Sequence, residues 1–158
     1  MQKGLKKLTA SEVRKKIYHY CAYQERSHQE VKNKLYDLEL SSQEIDEMIS
    51  HLITEGYLNE ERFAKAFAGG KFRLKNWGRI KIINALEGKG LTKNCIRVGL
   101  LEIDEAEYRK TIESLLLKKA DQTEEENPYV RREKLATYII QKGFEPDLVW
   151  EVTKQVIK

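Results

Sequence analysis

Three stretches of the chain, residues 31–53, 82–104 and 135–157, superpose without a gap. Val31, Ile82 and Leu135 fall together, as do Leu35, Leu86 and Ile139. Leu40, Leu91 and Phe144 follow, then Ile45, Ile96 and Val149, and Leu52, Ile103 and Val156 close the series. The offsets are 51 and then 53 residues. A fixed period of this length marks a repeat architecture. Each unit reads as a long helix, a short helix, a tight turn and a third helix, with Leu40, Leu91 or Phe144 as an apolar plug beside the turn. A unit of ~50 residues barely buries a core alone, so neighbours are expected to stack. The expected fold is all-α: nine helices in three tandem three-helix repeats, forming an elongated, curved array. The expected divisions are a basic tail at 1–9, then repeats at 10–56, 57–103 and 104–158. An array presents a long surface rather than a closed pocket, which favours binding over catalysis.

The helical assignment rests on spacing and caps. Ile45, Met48, Ile49, Leu52 and Ile53 trace one helix face. No segment alternates with period two between hairpin turns, so strands are not expected. Ser27 with Glu30 and Ser41 with Glu44 fit capping boxes, and Asn59, Thr92 and Asp104 are good N-cap types. Pro128 and Pro146 suit first turns, and Gly56, Gly90 and Gly143 suit left-handed helix ends. The helices are expected at about 10–25, 28–38, 42–55, 60–75, 78–89, 93–102, 105–121, 129–142 and 146–157, within ~2–4 residues. Residues 121–127 (DQTEEEN) read as an acidic connection.

Charge alternates in blocks: +6 over residues 1–34, −8 over 35–61, +9 over 62–97, −5 over 98–127 and +2 beyond. The basic blocks suit polyanions, and the alternative is helix faces that simply differ in sign. No run approaches the ~18 apolar residues of a membrane span. Met1 to Lys7 is basic with no apolar stretch after it, so no secretory signal is expected and the cytoplasm is the expected compartment. Cys21 and Cys95 are far apart and form no CxxC pair; both read as small buried hydrophobes.

Gly56-Tyr57-Leu58-Asn59-Glu60-Glu61-Arg62-Phe63-Ala64 resembles a signature of the RecX family. Glu25-Arg26-Ser27 with Val31 and Leu35 is similar to that family's opening segment. Trp77-Gly78-Arg79-Ile80, Leu86 and Lys89-Gly90-Leu91 resemble its middle segment, and Gln141-Lys142-Gly143-Phe144 its last repeat. The likeness runs from residue 10 to residue 157. It implies three tandem three-helix repeats and a monomeric regulator of the RecA recombinase, with no catalytic residues, cofactor or metal. Such a regulator binds the RecA filament on single-stranded DNA and dampens ATP hydrolysis, strand exchange and filament extension. Two features depart from the family pattern. Ala68-Gly69-Gly70 stands where larger polar or basic residues are usual, and the third repeat is less basic. Each helical Gly costs ~1 kcal/mol relative to Ala, so the fourth helix is expected to bend or end early.

An enzyme is not supported. His19, His28 and His51 are scattered, and Glu47 with His51 makes one helix-face pair rather than a metal site. Gly69-Gly70-Lys71-Phe72 lacks the rest of a phosphate-binding loop, and Phe72 has no magnesium-binding hydroxyl. The second repeat is the best binding candidate, because Glu87 is the only acid between residues 62 and 97. Lys65, Lys71, Arg73, Lys75, Arg79 and Lys81 are candidate partner- or DNA-binding residues, and Lys71, Arg73, Lys75, Arg79 and Lys81, which straddle a helix junction, are expected to gather around Trp77. Trp77 either stacks on a partner or packs between repeats. Phe63, Ala64 and Phe67 read as packing, Asn59 as a cap, and Arg62 as a partner for an acid such as Glu55. The alternative function is sequence-tolerant DNA binding without recombinase specificity, with single-stranded DNA as a direct partner. A duplex-reading helix-turn-helix is disfavoured, because residues 42–55 are acidic.

Overall fold

The computed structural model describes residues 8–158; the basic Met1–Lys7 stretch lies outside them. The described residues form nine α-helices and no strand. Repeat 1 holds α1 (Ala10–Tyr23), α2 (His28–Asp37) and α3 (Ser42–Thr54). Repeat 2 holds α4 (Glu60–Lys75), α5 (Arg79–Gly88) and α6 (Lys93–Leu100). Repeat 3 holds α7 (Glu105–Asp121), α8 (Pro128–Ile140) and α9 (Pro146–Val156).

The starts follow the expected chemistry. Ser27 and Ser41 accept from the N–H groups of Glu30 and Glu44, whose carboxylates return to the cap N–H groups. Thr9 and Glu12 form a third such box at the start of α1. Ser27 is fully buried, and this reciprocal pair satisfies it. Asn59, Thr92, Asp104 and Asn127 each accept a first-turn N–H. Gly56, Gly90 and Gly143 adopt positive φ of 81°, 82° and 98°. Glu39 stands at the position equivalent to Gly90 and Gly143 and takes φ 66° as well. Asn76, at φ 56°, ends α4.

The fourth helix does not end at its glycines: α4 runs unbroken from Glu60 to Lys75. Its small residues serve the crossing with α6. A Cβ on Gly99 would sit 2.7 Å from the Ala64 Cβ and 2.8 Å from the Ala64 carbonyl oxygen. Ala64, Ala68 and Gly69 are buried on that side. Tertiary contact therefore overrides the helix-propensity penalty of glycine.

The apolar register predicted from the repeats holds. Val31, Ile82, Leu135, Leu35, Leu86 and Ile139 are all fully buried. Leu91 and Phe144 are buried plugs, whereas Leu40 is half-buried. Cys21 is buried and Cys95 is half-buried; both are free thiols.

The repeats do not share one core evenly. Val13, Ile17, Cys21, Val31, Leu35, Ile45, Leu52 and Leu58 form a core within repeat 1. A second, larger core runs continuously through repeats 2 and 3, from Phe63 to Ile157, with Phe72, Tyr108 and Phe144 in contact at its centre. The two junctions are built accordingly. Between repeats 2 and 3 the start of α5 docks on the turn before α9: Gly78 N–H donates to the Lys142 carbonyl and Ile80 N–H to that of Gly143, both at 2.9 Å. Between repeats 1 and 2 the ties are polar. His28 N–H donates to Glu60 at 3.1 Å, and Arg62 reaches Glu25 at 2.6 Å and the Gly56 carbonyl at 3.0 Å. Arg62 thus pairs with Glu25 rather than with Glu55.

Candidate partner-binding surface

Phe63, Phe67 and Lys71 recur every four residues on α4, so they form one stripe along it. The left-handed turn at Asn76 folds the chain back and sets Trp77 edge-to-face with Phe67, the rings 74° apart in plane and their centroids 6.2 Å apart. α5 then brings Lys81 over the Trp77 ring at 4.5 Å, and Lys71 lies over the same ring at 4.9 Å. Lys89, the residue capping the end of α5, lies 5.7 Å from the Phe67 centroid and 5.9 Å from that of Phe63. Phe63 is buried; Phe67 and Trp77 are half-buried against the core of repeats 2 and 3. Trp77 therefore packs and also carries cations on its exposed part. No acid among the described residues lies within ion-pair distance of Lys71, Lys81 or Lys89. Cation–π contact, worth about 0.5–1 kcal/mol at exposed sites, holds these ammonium groups without cancelling their charge.

Arg79 differs from its neighbours. Its guanidinium donates to Glu145 at 2.7 Å and Glu105 at 2.7 Å, and it lies 3.9 Å from the Tyr108 ring centroid. Its backbone N–H donates to the Tyr108 hydroxyl at 3.0 Å, which in turn donates to Glu145. Burial opposes the Arg79 charge, but the bonds to Glu105 and Glu145 outweigh it and hold the guanidinium above its ordinary pKa. The Arg79 hydrogen bond holds Glu105 below the usual carboxylate value. Burial, aided by Glu145, pushes the Tyr108 phenol up. Arg79 therefore pins repeat 2 to repeat 3, and its charge is neutralised within the chain.

The remaining candidates do not converge on Trp77. Lys65, Arg73 and Lys75 are exposed. At about 100° per residue, Lys75 shares the Lys71 side of α4, while Arg73 points about 160° away. A Cβ on Gly69 would sit 2.4 Å from Arg73 Nη2 and 3.2 Å from Glu102 Cγ, which places Arg73 on the α6 side. The structure thus gathers Lys71, Trp77 and Lys81, and it adds Phe67 and Lys89. Phe67 reads as packing from its spacing, and it does pack while also supporting two lysines.

His51 pairs with the Tyr18 hydroxyl at 2.7 Å, while Glu47 accepts from Gln43. Gly69 to Phe72 lie inside α4, with Phe72 buried. Among the described residues no group of three or more His, Cys, Asp or Glu could hold a metal ion. No helix among them is long and apolar enough to cross a membrane.

Family models match all three repeats: the first three-helix domain of RecX over residues 14–52, the second over 59–100 and the third over 106–153. The chain is 25% identical over 138 residues to the regulatory protein RecX of Oceanobacillus iheyensis, covering 87% of this chain and 51% of that protein. It thus spans about half the length of that relative. It is 30% identical over 116 residues to the regulatory protein RecX of Chlorobium limicola, covering 72% of this chain and 67% of that one. The crystal structure of RecX from Lactobacillus salivarius shares the fold, with a TM-score of 0.84 at 22% identity over 92% of this chain and 95% of that one. Three family domains in order, on three repeats of matching architecture, place the chain in the RecX family.

Proposed function

We propose that this protein is a negative regulator of a RecA-type recombinase that acts by binding, without catalysing a reaction. It binds the recombinase filament on single-stranded DNA and slows ATP hydrolysis, strand exchange and filament extension. The observation that carries this reading is the second-repeat surface, where Lys71, Lys81 and Lys89 stand over Phe67 and Trp77 with no acid paired to them. Family membership supports it, since the curated relatives are named as regulatory proteins. A monomer suits a repeat array, whose linked contacts gain strength from effective concentration.

The test is DNA-stimulated ATP hydrolysis by the host's recombinase with this protein titrated in at moderate salt. A variant with Lys71, Lys81 and Lys89 changed to Glu runs beside it, and Arg79 is left intact because it holds the fold. Suppression by the natural protein, lost in the variant, is the expected result. Equal suppression by both would reject this surface while keeping the function. No suppression by the folded natural protein would reject the function.

A further inference from the structure

Repeat 1 is an opened version of repeat 2. In repeat 2 the first and third helices meet at Ala64 and Gly99, where a Cβ on Gly99 would sit 2.7 Å from the Ala64 Cβ. The 51-residue offset puts Val13 and Met48 at those two positions in repeat 1. The distance between packed helices follows the size of the side chains at their contact. Accordingly α4 packs closely along α6, and α1 makes no comparable approach to α3. A cleft of about 310 Å³ opens between the start of α1, the α2–α3 turn and α3. The plug residue shows the difference: Leu91 is buried in repeat 2, while Leu40 is half-buried and lines the cleft.

The lining has an apolar part and an acidic part. Leu8, Leu38 and Met48, all half-buried, join Leu40 in it. Glu39, Glu44 and Glu47 are exposed there, and Arg14 is the one Lys or Arg in the lining. Glu44 is engaged with the Ser41 cap, and Glu47 accepts from the Gln43 amide. Neither Glu39 nor Glu47 is ion-paired. Around them, residues 35–61 carry a net charge of −8. Glu39 bears a second mark. It holds φ 66° at the position where the other repeats place Gly90 and Gly143. A glutamate in the left-handed region is strained, and such strain collects where a side chain meets a ligand. Nothing within the described chain holds the Glu39 carboxylate by a hydrogen bond or an ion pair.

We propose that this cleft docks a basic segment of a partner protein. An apolar side chain of the segment seats against Leu38, Leu40 and Met48, and its flanking Lys or Arg side chains meet Glu39 and Glu47. An apolar anchor in a small pocket supplies affinity, and complementary charge around it supplies specificity. The same acids repel a phosphate backbone, so the occupant is a protein and not a nucleic acid. Repeat 1 thus offers a contact opposite in sign to the lysines of repeat 2.

The probe is a fluorescein-labelled amphipathic peptide of leucine and lysine, titrated with the full chain at moderate salt and read by anisotropy. It needs no recombinase, so its result stands apart from the regulatory reading above. Glu39→Gly should weaken binding by roughly three- to fivefold, the loss of one exposed ion pair, and E39G/E47Q by about tenfold. Because Glu39→Gly also relieves the strained turn, unfolding cannot account for its loss of binding. Leu40→Ser should weaken binding by about tenfold through lost apolar contact, with helical circular dichroism as the check on folding. Added salt should weaken binding as well, and a peptide of leucine and glutamate should not bind. A natural chain that does not bind the leucine–lysine peptide overturns the proposal. So does binding indifferent to E39G/E47Q, or binding that follows charge and ignores Leu40→Ser. Two further outcomes overturn it by giving the cleft another occupant. Tighter peptide binding by K3Q/K6Q/K7Q would assign it to the chain's own basic stretch, and self-association abolished by Glu39→Gly would assign it to a second copy.

Discussion

Replacing Gly143 with alanine should damage the joint between repeats 2 and 3, whereas the same change at Gly90 should not. The two glycines occupy equivalent turns, with φ of 98° and 82°. A left-handed conformation costs a non-glycine residue about 1–2 kcal/mol, and both variants incur that. Their surroundings differ. A Cβ on Gly90 meets nothing within 4 Å, but one on Gly143 would sit 2.4 Å from the Lys81 Cβ and 2.8 Å from its backbone nitrogen. The α5 backbone must then withdraw, loosening the bonds from Gly78 to the Lys142 carbonyl and from Ile80 to the Gly143 carbonyl. Each is worth about 1 kcal/mol net, so Gly143→Ala should cost about 3–4 kcal/mol against about 1–2 for Gly90→Ala. Urea unfolding followed by tryptophan fluorescence reads this directly, because Trp77 and Trp150 both pack on the core that repeats 2 and 3 share. At about 4–8 °C per kcal/mol for a unit of this size, the gap is also visible in Tm. Equal destabilisation by the two substitutions would refute the docked-turn account of this junction.

Glu39→Gly should stabilise repeat 1 by roughly 0.5–1 kcal/mol, since Glu39 holds φ 66° where the other repeats have glycine; no rise in the repeat 1 transition would contradict this. Gly70→Ala should add about 1 kcal/mol, because it is helical with nothing within 4 Å of its Cβ. Gly99→Ala should instead destabilise, by forcing α6 off Ala64, and thermal melts of both variants test the pair. Glu105 has a lowered pKa in the folded state, so its contribution is present above its unfolded value of about 4.3 and is lost as pH falls through the folded value. Tm measured from pH 7 to pH 3 should therefore show Glu105→Gln below the natural protein at neutral pH, with the two converging in acid.

The repeats were legible in the residues because helix faces and turns are local. Five apolar positions in register, three caps of the Ser or Thr type and three glycines at helix ends determine nine helices and their grouping. What escaped were features whose cause lies elsewhere in space. Glu39 carries no sign of a left-handed turn until it is aligned with Gly90 and Gly143. The Gly69–Gly70 pair reads as a weak point along α4, yet the helix runs unbroken through it, with Ala64, Ala68 and Gly69 buried and Gly70 left open. The basic block of repeat 2 marks a charged region but not its division. Lys71 and Lys81 stand free over Trp77, Arg73 faces the α6 side, and Arg79 is neutralised by two acids 26 and 66 residues away.

The sequence by itself determined the helices, their threefold repetition and the family, because each follows from spacing along a few turns. Only the tertiary structure decided that repeats 2 and 3 fuse around Tyr108 while repeat 1 keeps its own core. Only it decided which cations remain available to a partner. The reason is that charge and burial at a side chain depend on what distant segments bring to it. A cation held over an aromatic ring keeps its charge, whereas one held between two carboxylates does not.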